Sequence, residues 1–168
     1  MLPAKGGVMK LIGVVAIAVT GSLLLSACAG NSDKDRAQGF AIKACDIQTD
    51  EGGEPLRNSD GVVPFDDSIG AGLTNVETDP IPEIQSKFDG LSDLSSSAQA
   101  AAQLDPAWRS LADGLALRVS ILSVSLSARN RGENPFENAI TNSDVSNYNQ
   151  AVSEWKQECS GLATRLSE

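Results

Sequence analysis

The chain runs to 168 residues with 22 acidic and 13 basic side chains, no histidine and a formal charge of −9 at pH 7. That balance argues against nucleic acid as a partner, because binding draws on lysine and arginine displacing phosphate counterions and no basic patch stands in the sequence. The lack of histidine excludes Ser/His/Asp and Cys/His nucleophile systems. Without paired cysteine spacing there is also no tetrahedral thiolate or imidazole set for a structural metal.

In chain order, Lys5 and Lys10 precede an apolar run, Leu11 to Val19 and then Leu23-Leu24-Leu25, which small residues follow. This is the order of a secretory signal. Thr20, Gly21 and Ser22 interrupt the run and polar sequence follows it, so it falls short of the ~20 apolar residues that a spanning helix needs. Its last four residues, Leu25-Ser26-Ala27-Cys28, place an aliphatic residue and two small ones before a cysteine.

They resemble the lipobox of bacterial lipoproteins, and the resemblance covers residues 1 to 28 only. It implies that residues 1–27 are removed as a signal peptide, that Cys28 carries a diacylglycerol and palmitate-type chains, and that the protein is anchored to the cell membrane on its extracytoplasmic face. Two or more acyl chains give stable anchoring, at ~0.8 kcal/mol per buried methylene. Losing Lys5 and Lys10 with the signal moves the formal charge from −9 to −11 over the remaining 141 residues.

Residues 28–32 are expected to form a short lipidated tether, and residues 33–168 a single helical domain. From Asp33 to Asp46 the apolar positions Ala37, Phe40, Ala41, Ala44 and Cys45 recur at helical spacing, with Ser32 or Asp33 as N-cap, and predict a short first helix. Cys45 and Cys159 are the cysteines left once Cys28 is acylated, and they lie in a translocated region where disulfides persist. They are expected to pair, the alternative being two buried thiols.

Between residues 47 and 80 the composition changes: five glycines, three prolines and eight acids stand against one base, Arg57. This is a long acidic connection, with Val62, Phe65, Ile69 and Leu73 available to pack onto a bundle. Asp46, Asp50, Glu51 and Glu54 do not make a calcium loop of the EF-hand kind, because Glu51 and Arg57 stand where its glycine and final glutamate belong. Asp60, Asp66 and Asp67 are the remaining candidates for gathering a hard cation, and no metal is assigned to them. Gly70-Ala71-Gly72 is expected to form a turn rather than a dinucleotide fingerprint, since Asn75 replaces the third glycine.

The punctuation Asp79-Pro80-Ile81-Pro82 starts a second helix carrying Ile84, Phe88, Leu91, Leu94, Ala98 and Ala101 on one face. Asp105 followed by Pro106 is an N-cap with proline at the first helical position, and predicts a third helix to about Asn130. Leu115, Leu117, Val119 and Ile121 alternate as a strand would, but length and cap favour helix. On a helical wheel the segment has two apolar stripes. Trp108, Leu111, Leu115, Val119, Leu122 and Leu126 form one; Leu117, Ile121, Val124 and Ala128 form the other, with Arg118 and serines flanking. Two apolar stripes imply a helix sandwiched between others.

After a loop at residues 130–142, Ser143 can cap a last helix with Val145, Tyr148, Val152, Trp155, Cys159, Leu162 and Leu166 spaced alternately by three and four. Trp108, Tyr148 and Trp155 lie on apolar stripes and are read as core. The fold class is therefore all-α: a small bundle of one short and three longer helices, with an acidic connection after the first and a disulfide tying first to last. The function expected is that of a membrane-anchored, non-catalytic interaction or assembly module with an envelope protein as partner and no cofactor. A small-ligand or cation-binding surface lipoprotein is the alternative.

Overall fold

The computed structural model describes residues 30–52, 54–58, 61–62 and 73–168. It is a helical bundle: α1 spans Gly30–Ala44, α2 Ile81–Leu104, α3 Arg109–Asn130, α4 Pro135–Asn138 and α5 Asn142–Ser167. Two-residue strands β1 (Arg57–Asn58) and β2 (Gly61–Val62) pair antiparallel, Arg57 opposite Val62. The signal segment with Cys28, the cation candidates Asp60, Asp66 and Asp67, and the apolar residues Phe65 and Ile69 lie outside the described residues.

Helix α1 begins earlier than the sequence suggests. Gly30 to Ser32, expected to be tether, are already helical, and Asp33, expected as a cap, lies inside the helix where Oδ1 accepts from Arg36 at 3.3 Å. Ala37, Ala41, Ile42 and Ala44 are its buried face. It ends in a Schellman motif: the Asp46 N–H donates to the Lys43 carbonyl (3.0 Å) and the Ile47 N–H to the Ile42 carbonyl (3.1 Å). Asp46 sits at φ 52°, a left-handed position in which aspartate is among the tolerated non-glycine residues. A tight turn follows, in which Asp50 Oδ1 accepts from the Gly52 and Glu54 N–H groups.

Leu73 and Val76, in and after a 3-10 turn at Leu73–Asn75, are buried in the core. Helix α2 buries Ile84, Leu91, Leu94, Ala98 and Ala101, the predicted face, with Phe88 half-buried. Asp105 then accepts from the Ala107 N–H at 3.0 Å, as the cap-and-proline pattern predicts, though the turn it caps, Pro106–Trp108, is 3-10 before α3 proper begins.

The antiparallel arrangement follows from a few contacts. Arg129, near the end of α3, donates to the Glu77 and Asp79 carbonyls just ahead of α2. Trp108 at the start of α3 lies under Arg165 at the end of α5, and Gly114 faces Ala151 midway. α3 packs on both α2 and α5, while α1 packs on α2. The segment Pro106–Asn130 is long and apolar enough to cross a membrane, but half of it is buried inside the bundle, as a core helix requires.

The two-stripe reading of α3 needs correction. Ile121 and Ala128 are buried, but Leu117 and Val124 from the same expected stripe are 39% and 41% exposed. Arg118, expected beside the stripes, is fully buried instead, as is Ser125, whose hydroxyl donates to the Ile121 carbonyl. Residues between α3 and α5 also differ from a plain loop. α3 ends in a second Schellman motif around Gly132 (φ 74°), and Asn134 caps the single turn α4 by accepting from the Phe136 N–H.

The cap of α5 is Thr141, not Ser143. Thr141 Oγ1 accepts from the Asp144 N–H at 3.2 Å while Asp144 Oδ2 accepts from the Thr141 N–H at 2.9 Å, a reciprocal capping box. Ser143 has no acid three residues on and cannot close such a pair. Tyr148, Ala151, Trp155, Cys159 and Leu162 are buried along α5, with Val145, Val152 and Leu166 half-buried.

Candidate functional site

The most elaborate arrangement of side chains lies where α1, α3 and α5 meet. The alternating three and four spacing on α5 sets Tyr148 and Trp155 two turns apart on the buried side, with the small Ala151 between them. Arg118 enters that gap from α3, its guanidinium carbon 5.4 Å from the Tyr148 ring and 5.4 Å from the Trp155 ring. All three residues are buried. A guanidinium keeps its proton in any protein setting, so this places a positive charge inside the bundle. Two aromatic faces stabilise it, each such contact being worth about 2 kcal/mol when desolvated.

One turn beyond Trp155, Cys159 is bonded to Cys45, and both cysteines are fully buried. Trp155 Nε1–H donates to the Ala44 carbonyl at 3.0 Å, one of the last carbonyls of α1. The indole therefore joins two tasks, closing α1 onto α5 beside the disulfide and covering one face of Arg118. The disulfide is the pairing that the sequence suggested. Tyr148 and Trp155 are core, as expected, whereas Trp108 is half-buried at the rim with the Arg165 guanidinium 6.0 Å from its ring.

Arg118 is what sequence reasoning missed. The signal was present: it is the one charged residue between Gly114 and Ala128. A helical wheel assigns such a residue to a polar flank, and only the positions of two aromatic rings on another helix tell otherwise.

Outside this interior cluster the surface is grooved between α3 and α5. One groove of about 580 Å³ is walled by Trp108, Glu154, Glu158 and Arg165. A second, of about 560 Å³, shares Glu154 and runs past Arg109, Asp113, Gly114 and Leu117. Both are open and mixed in charge. A third, about 410 Å³, lies between Glu77, Arg129 and Glu133.

Several ionisable groups at the periphery are tuned by their neighbours. Hydrogen bonding to Asp79 (2.6 Å), helped by Glu83, holds the Lys87 ammonium above its ordinary value against partial desolvation. The Thr141 backbone and side-chain bonds hold the Asp144 carboxyl below its usual value. Arg131, bonded to Glu133 at 2.7 Å, lowers that carboxyl likewise. These shifts belong to helix ends and surface ion pairs. Among the described residues no group of three or more Cys, Asp or Glu side chains is placed to hold a metal ion.

In comparisons with known proteins, no family model, no curated protein and no solved structure matches this chain.

Proposed function

We propose that the protein is a lipid-anchored extracytoplasmic module of the bacterial cell envelope, held to the membrane by acylated Cys28 and acting by interaction or assembly rather than catalysis. The observation that carries this reading is Leu25-Ser26-Ala27-Cys28 at the end of an apolar run preceded by lysines. The Cys45–Cys159 bond supports it, because disulfides persist in oxidising compartments outside the cytoplasm.

The interaction role draws on the surface between α3 and α5. Its grooves are open, and Leu117 and Val124 stand exposed on the adjoining side of α3. The chain has no histidine to act as a general base, and its buried Arg118 is committed to two aromatic rings, out of reach of a substrate.

Metabolic labelling with radioactive palmitate tests the anchor. The reading expects label on the protein and a membrane-bound fraction, both lost in Cys28→Ala. Absence of label with unchanged fractionation of Cys28→Ala would falsify it. Crosslinking in cells from a photoreactive group at position 117 tests the interaction role, and recovery of lipid without any protein adduct would count against it.

A further inference from the structure

We infer that the Cys45–Cys159 disulfide is a retention clamp, keeping the helical body attached to its membrane anchor after the acidic connection has been cut. The inference rests on the lipid-anchor reading above and adds a task for the bridge that anchoring alone does not assign.

The geometry is specific. If Cys28 bears the lipid, α1 is the anchor-side element, and along the chain it reaches α2 to α5 only through residues 45–80. The described part of that connection is exposed at Gln48, Asp50, Glu51, Gly52, Glu54 and Leu56. Exposed turns with small and polar residues are the preferred places for proteolytic nicking. Cys45 is the first residue after α1, ahead of all those exposed positions, and its partner Cys159 lies 114 residues on, in the last helix. Any single cut between them leaves the two pieces covalently joined.

Apart from the bridge, α1 is held by its packing on α2, with Phe40 half-buried against the core. Its buried face is Ala37, Ala41, Ile42 and Ala44, three alanines and one larger side chain, and each methylene removed from water contributes only ~0.8 kcal/mol. The bridge, in contrast, is shielded. Both cysteines have no exposed surface, and Trp155 lies one turn from Cys159 with its N–H on the last residue of α1. A thiol reductant reaches the bridge only after the seam opens. Shedding the body therefore requires two events, a peptide cut and a disulfide reduction.

The test uses full-length acylated protein in membranes, with a site-specific protease sequence inserted after Glu51 in one form and after Asn31 in another. Sedimentation before cutting reads the anchor, and failure to pellet then would fault the lipid reading and not the clamp. After cutting at the Glu51 insertion without reductant, the body is expected to stay in the pellet. After cutting at the Asn31 insertion, upstream of Cys45, it is expected in the supernatant. In the Glu51 form carrying Cys45→Ser and Cys159→Ser, release after cutting should rise about tenfold or more, given the size of the constraint removed. If these serine variants fail to fold, cutting the parent and then adding a thiol reductant gives the same comparison. Release of the cut parent without reductant would overturn the clamp. So would equal retention of the cut body with and without the disulfide, since packing alone would then suffice.

Discussion

The two sides of α3 carry side chains of similar hydrophobicity and meet different fates. The inner side buries Leu111, Leu115, Ile121, Leu122 and Leu126 together with a charged residue, Arg118, and a serine, while the outer side leaves Leu117 and Val124 exposed. Hydropathy does not separate them; what does is the presence of partners. Arg118 faces two rings on α5, whereas no described element covers Leu117 and Val124. A buried charge is tolerable where its surroundings answer it, and an exposed leucine costs little.

The largest expected effect lies at the seam behind the inner side. Replacing Cys45 and Cys159 together by alanine removes a constraint spanning 114 residues, and on the chain-entropy account should cost about 4–5 kcal/mol in denaturant unfolding. A loss below about 1 kcal/mol would mean that the α1–α5 junction is held by something else.

Next comes the charge itself. Arg118→Ala leaves a void between Tyr148 and Trp155 and is expected to cost about 3 kcal/mol, with Arg118→Met costing less because it keeps most of the volume. Near-UV circular dichroism should report the change in ring packing. If the alanine variant unfolds at the wild-type midpoint, the contrast between the two sides of α3 is wrong at its centre.

A smaller effect is expected at the start of α5, which presents the inner rings to Arg118. Thr141→Ala should cost about 1 kcal/mol through loss of the capping box. The same box makes a pH prediction. Asp144 has a folded pKa below its ordinary 3.8, so its contribution is complete above that value and disappears as pH falls through the folded pKa. Protection of the Thr141 amide, measured against its intrinsic exchange rate, should therefore fall below about pH 4, and less so in Asp144→Asn. An acid limb unchanged by Asp144→Asn would remove the carboxylate from the account.

The smallest effect belongs to the outer side. Leu117→Ser with Val124→Ser should stay within about 0.5 kcal/mol of wild type in the isolated protein. A core-sized loss would show that this side is covered after all. Unchanged stability with loss of crosslinked partners would sharpen the contrast into a division of labour, one side for folding and the other for binding.

How much of this was legible beforehand varies with the physics involved. Local signals worked where one residue type decides the backbone. Asp105-Pro106 starts a helical segment as predicted, and Gly132 takes the left-handed position that ends α3. Asp46 occupies the equivalent position after α1 without the glycine that would have announced it. Thr141 rather than Ser143 caps α5 because the reciprocal acid three residues on, and not the hydroxyl alone, chooses the cap. Cys45 and Cys159 are expected to pair as the two cysteines left in a translocated region once Cys28 is acylated, and the structure joins them. Cys28, Asp60, Asp66 and Asp67 lie outside the described residues.

Taken alone, the order of residues determined that the chain would be helical, where most of its helices fall, and which stripe of α5 turns inward. Those features depend on periodicity and on local backbone preference, which act over a few residues. Tertiary structure alone decided which side of α3 is interior and that Arg118 belongs there. That choice rests on Tyr148 and Trp155, which lie 30 and 37 positions further along the chain and reach Arg118 only when α3 and α5 lie antiparallel. Desolvation of a charge is decided by whatever surrounds it in space, and no window along one helix contains that information.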